Sequence, residues 1–186
     1  MVSVVSLWLP ILVAAVLVFI ASSIIHMLLP YHRSDYGKVP AEDDVMDALR
    51  RFNIPPGDYL LPNPFTPQGT RASDFVAKLE KGPVAMMTVM KAGPPKMGGQ
   101  LTAWFLYTVV VGVFAGYVAG IVFAPGAPYM PVFRITGTVA FAGYALALWQ
   151  QTIWYKLAWT STLKSTFDGL IYALLTAGAF GWLWPS

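Results

Sequence analysis

Asp168 is the one acidic residue within or beside the long apolar stretches of this 186-residue chain. An ionisable group in that setting is costly and commonly functional. Two arrangements account for it. Ser165-Thr166-Phe167-Asp168 has the form of a capping box opening the last apolar stretch, where an acid also complements the helix dipole; the local pattern favours this reading. In the other arrangement Asp168 stands at the mouth of a helical bundle. It would be joined there by His26 near the end of the first stretch, Gln150 and Gln151 near the end of the third, and Lys164. Such a group would bind a proton or an ion, with His26 able to change charge near neutral pH, or would tie helices together by hydrogen bonds. Arg134, in the first turn of the third stretch, reads as a side chain that snorkels to headgroups.

Metal, cofactor and enzyme chemistry find little support in residue types or spacing. Cysteine is absent and there are two histidines, His26 and His32. Six residues apart, they project about 240° apart on a helix, and Pro30 interrupts any helix between them. The thioethers of Met86, Met87, Met90 and Met97 would suit Cu(I), but methionine in a short apolar segment is mostly packing. Neither a Gly-x-Ser-x-Gly elbow, a phosphate-binding Gly-Lys-Ser/Thr loop nor a His-Glu-x-x-His motif occurs. The glycines of residues 93–99 are interleaved with prolines, which remove the amide donors a phosphate cradle needs. No metal, no cofactor and no catalytic residue is expected.

The elements that must position these residues are membrane spans. Hydrophobic residues make up 56% of the chain and charged residues 11%, which excludes disordered, coiled-coil and nucleic-acid-binding classes. Four stretches approach the roughly 20 apolar residues that cross a bilayer: Val4–Leu29, Leu101–Phe123, Val132–Tyr155 and Phe167–Trp184. Backbone groups in hydrocarbon must pair within their own segment, so the stretches are read as helices. The first lacks a basic leader and is too long for a signal peptide, so it is read as a retained span. The expected fold is therefore an all-α integral membrane protein. A four-helix bundle comprises residues 1–30 and 101–186, with a mostly helical or irregular loop over residues 31–100.

Charge sets the expected orientation. Arg33, Lys38, Lys91, Lys96, Lys156 and Lys164 flank the spans on one side and Arg134 alone on the other, placing the long loop in the cytoplasm and both termini outside a plasma or inner membrane. Trp8, Trp182 and Trp184 mark the outer ends, and Trp104, Trp149, Trp154 and Trp159 lie near the inner ends. The loop carries nine basic and eight acidic residues, unlike a polybasic lipid-binding tail. Residues 40–52 read as an amphipathic helix with Val45, Leu49 and Phe52 on one face, Ser73–Lys81 as a second short helix, and Val84–Val89 as a strand or a membrane-surface segment.

The strongest motif concerns packing. Gly112, Gly116 and Gly120 recur at every fourth position of the second span, and Gly169, Ala173, Ala177 and Gly181 repeat the spacing in the fourth. Small residues admit a second helix backbone, the main source of association where lipid offers no hydrophobic incentive. With little charge inside the spans, the expected function is a non-enzymatic structural or accessory subunit of a membrane assembly. Its partners would be the bilayer and further membrane subunits, in a homo- or hetero-oligomer, without nucleic acid. The alternative is a small oligomeric channel or transporter for ions, protons or a solute.

Overall fold

The computed structural model describes residues 1–65 and 72–186 and is mostly helical. Three segments are long and apolar enough to cross a membrane: Val4–Leu28, Met97–Val122 and Tyr129–Tyr155. The first contains α1 (Trp8–Ser23), preceded by a 3-10 turn over Val4–Leu7 and followed by a π-helical turn over Ile24–Leu28. After it come α2 (Glu42–Arg50), β1 (Gly57–Leu61), α3 (Ala72–Lys81) and β2 (Ala85–Val89). The remaining helices are α4 (Met97–Val122), α5 (Tyr129–Tyr144), α6 (Trp149–Tyr155) and α7 (Trp159–Trp182).

Two compact units result. Met1–Tyr36 with Lys96–Ser186 makes the helical unit, and Gly37–Pro95 makes the other. In the helical unit α1 packs on α4 and α7, and α5 packs on the same two helices, closing a ring of four. Alanines line much of the inner face while many large side chains face outward: Ala14, Ala15, Ala115, Ala119, Ala173 and Ala177 are buried, whereas Leu12, Val16, Phe114, Ile121 and Leu174 are exposed. A water-soluble bundle sorts these the other way; this arrangement suits helices that approach one another closely and turn their large side chains to lipid.

One end of the ring is sealed by Val2, Leu7, Ile11, Ala14, Val132, Ala179 and Phe180. Towards the other end lie Val18, Ile25, Val111, Ala140, Tyr144, Tyr172 and Ala173. Buried hydroxyls in between bond to their own helices, Thr108 to Phe105 O, Thr136 to Val132 O and Thr176 to Tyr172 O, at 2.7–2.9 Å. Each polar group is thus satisfied locally.

Three expectations about elements are corrected. The third span is broken: α5 stops at Tyr144, Ala145 leaves the helical region, a 3-10 turn covers Leu146–Leu148, and α6 resumes. At the break α7 lies close by, since a Cβ on Gly169 would meet that of Ala145 at 2.9 Å. The fourth helix starts at Trp159, well before the apolar stretch, because helix formation does not require hydrophobicity at every turn. And the chain is not all-α. In the Gly37–Pro95 unit β1 pairs antiparallel with β2, with Gly57 opposite Val89 and Leu61 opposite Ala85, so Val84–Val89 is resolved in favour of a strand. Thr88 Oγ1 donates to its cross-strand partner Asp58 Oδ1 at 2.7 Å. No described residue of this unit is buried, and Val45, Met46 and Leu49 on α2 stay exposed.

Candidate functional site

The end of α1 and the chain just beyond it build a polar cluster against α7. The π turn closes with the amide of Leu29 donating to the carbonyl of Ile24 at 3.2 Å, and it carries His26. Pro30 then directs the chain into a 3-10 turn over Tyr31–Ser34, followed by Asp35. This reversal brings His32 back beside His26, with ring centroids 4.6 Å apart. The two histidines, about 240° apart on an uninterrupted helix, come together because the helix break at Pro30 folds one onto the other.

Asp168 is at the centre. It lies well inside α7, whose N-cap is Ala158, so Ser165–Asp168 does not form a capping box. Its side chain is 3% exposed, and its Oδ2 lies 2.7 Å from His32 Nε2. The Tyr31 hydroxyl donates to Oδ1. On the other face of the imidazole, His32 Nδ1 is 2.6 Å from Asp35 Oδ2. Lys164, one turn before Asp168 on α7, donates to Asp35 Oδ1 at 2.9 Å, to the Tyr31 carbonyl at 2.6 Å and to Ser34 Oγ at 2.9 Å.

Both ring nitrogens of His32 therefore face carboxylate oxygens. A neutral imidazole donates from one nitrogen only, so the other contact needs a further proton on one of the two partners or a metal ion between them. Burial works against a charged His32, but the hydrogen bonds to Asp35 and Asp168 outweigh it and raise its pKa above that of an ordinary imidazole. Burial likewise opposes the ionised Asp35, yet the hydrogen bonds from Lys164 and His32 hold it below the usual carboxylate range. The Tyr31 phenol is pushed up by burial and by Asp168.

Of the five mouth residues anticipated, the structure brings His26, Lys164 and Asp168 together. Gln151 lines a neighbouring cavity of about 160 Å³ with Asp35, Ser161, Thr162 and Ser165, whereas Gln150 is exposed on α6. Tyr31, Ser34 and Asp35 were not anticipated, and His32 was weighed only as a metal ligand beside His26. Their available signal was the i, i+3 pair of His32 and Asp35 directly after a proline at the end of a span.

The glycine stripe lies against named neighbours. A Cβ on Gly112 would meet Ile11 at 3.3 Å, and one on Gly116 would meet Phe180 at 3.1 Å and Leu7 at 3.3 Å. Gly120 abuts the carbonyl of Val2, whose amide donates to Gly120 O at 2.8 Å. Gly169 lies against Tyr144 and Ala145, and Gly181 against the Tyr129 ring. Ala177 touches Gly137, and Ala173 is buried.

Comparison with protein families, with curated proteins and with solved structures finds no match for this chain.

Proposed function

We propose that this chain is a non-enzymatic membrane subunit with four spans, α7 being the fourth, and that it supports a larger membrane assembly. The observation that carries this reading is the seal at one end of the helix ring. Leu7, Val132 and Phe180 are fully buried there, and the Thr136 and Thr176 hydroxyls deeper in the ring are spent on their own backbones. A conduit needs polar groups that face a common path, and these do not. The His32–Asp168 cluster then acts as a clasp that fastens the end of α1 and its following turn to α7. The flanking charges support a cytoplasmic Gly37–Pro95 unit and external termini. The exposed Val45, Met46 and Leu49 on α2 supply that unit with an apolar face for assembly.

Two measurements on the purified full chain decide the matter. In reconstituted vesicles, ion and proton flux is expected to equal that of empty vesicles. In mild detergent, a second membrane protein is expected at fixed stoichiometry. Flux present in the wild type and abolished by Asp168→Asn would replace this reading with transport, which the placement of His26, Lys164 and Asp168 at one mouth favours.

A further inference from the structure

We propose that His26, His32 and Asp168 bind a divalent transition-metal ion of the zinc class at the end of α1. Each residue offers one ligand atom, and the three atoms lie within 4.8 Å of one another, contributed by the π turn, the 3-10 turn and α7. This inference does not depend on the accessory-subunit reading.

The surroundings of the three residues argue for a built site. Asp35 accepts from His32 Nδ1, a carboxylate–histidine pairing that fixes the tautomer and aims the lone pair of Nε2 towards Asp168. Lys164 in turn holds Asp35 through its second oxygen. On Asp168 the Tyr31 hydroxyl occupies Oδ1, leaving Oδ2 as the donor that faces His32.

The ligand chemistry selects the ion. Two imidazoles and one carboxylate, without a thiolate, suit zinc and its neighbours better than Cu(I), and the imidazoles disfavour magnesium and calcium. In a tetrahedral zinc site the ligand atoms stand about 3.3 Å apart, from bonds of roughly 2.0–2.1 Å. His32 Nε2 and Asp168 Oδ2, now 2.7 Å apart, need only separate by about half an ångström to reach it. The His26 ring is exposed, which leaves it room to swing onto the ion. Its place on a π turn fits the frequent use of such irregularities at functional sites. The Tyr172 hydroxyl, 3.4 Å from His26 Nε2, or a water completes the set.

The test uses the full chain in detergent, with no polyhistidine tag, after chelator treatment. Zinc titrated against a chromophoric competitor is expected to bind at one ion per chain, with magnesium unable to displace it. His26→Gln, whose ring is exposed and whose loss leaves the Asp168 network intact, is expected to weaken zinc binding at least about 100-fold. Asp35→Asn, which touches no ion, is expected to weaken it about 10- to 100-fold. Cobalt bound to the wild type is expected to give the intense visible absorption of a tetrahedral site, lost in His26→Gln. Absence of stoichiometric zinc binding overturns the proposal, as does binding unchanged in both variants when their helical circular dichroism matches the wild type. Vesicle flux with intact zinc binding would defeat the accessory-subunit reading and leave this one standing.

Discussion

Asp168 illustrates how much a side chain's energetic role depends on its surroundings. At a helix start, its replacement by asparagine would cost about 1 kcal/mol or less, since a cap is exposed and asparagine caps as well. In the observed site the carboxylate is buried and takes hydrogen bonds from Tyr31 and His32. Asp168→Asn leaves those partners poorly satisfied, at a cost of about 1–3 kcal/mol. A lowered thermal midpoint in detergent is therefore expected, and wild-type stability would show that the cluster contributes little. A smaller effect is expected at Trp104, whose indole Nε1 donates to Ser22 Oγ at 2.8 Å between α4 and α1. Trp104→Phe keeps most of the ring packing and removes that bond, so a loss of about 0.5–1.5 kcal/mol is expected in the same melting experiment. Equal melting of variant and wild type would mean that the bond adds nothing.

Among the elements, α4 offers the sharpest contrast between two positions on one helix. Gly116 lies against Phe180 and Leu7, and any branched side chain there must push α7 or the start of the first span away. Val110 is 49% exposed on the outer face. Gly116→Ile is expected to lower the thermal midpoint sharply, whereas Val110→Ile should melt like the wild type. Because Phe180 and Leu7 of the same chain fill the space beside Gly116, subunit stoichiometry in detergent should be unchanged in both variants. Dissociation of an otherwise stable complex by Gly116→Ile would assign the stripe to a subunit interface instead.

For the molecule as a whole, the orientation in the membrane gives the decisive prediction. Six flanking cations against one predict that the 31–100 loop lies inside. A reporter active only outside the cytoplasm is expected to work when fused after Ser186 and to fail when inserted at Gln68. The reverse pattern would turn the His32–Asp168 cluster to the outer face. The proposed four crossings would also keep both termini on one side, so a reporter placed before Met1 should match the one after Ser186. Opposite results at the two ends would mean that α7 does not cross, in keeping with its polar opening turns and buried Asp168.

Composition and periodicity alone determine that the chain carries helices long and apolar enough to cross a membrane, because a run of apolar residues of that length leaves the backbone no alternative in hydrocarbon. The spacing of Gly112, Gly116 and Gly120 likewise marks a close-packed face without naming what packs on it. Helix ends were less legible: apolarity places the start of the fourth span at Phe167, while the backbone is helical from Trp159. The break at Ala145 lies against Gly169 of a different helix, a juxtaposition that no local pattern contains. The polar site lay furthest from view. Its residues are separated by 133 positions between Asp35 and Asp168, and they meet only because Pro30 ends one helix and turns the chain back while α7 begins early enough to meet it. Whether a carboxylate caps a helix or anchors a charged cluster is set by where other segments come to rest, and that is a property of tertiary packing.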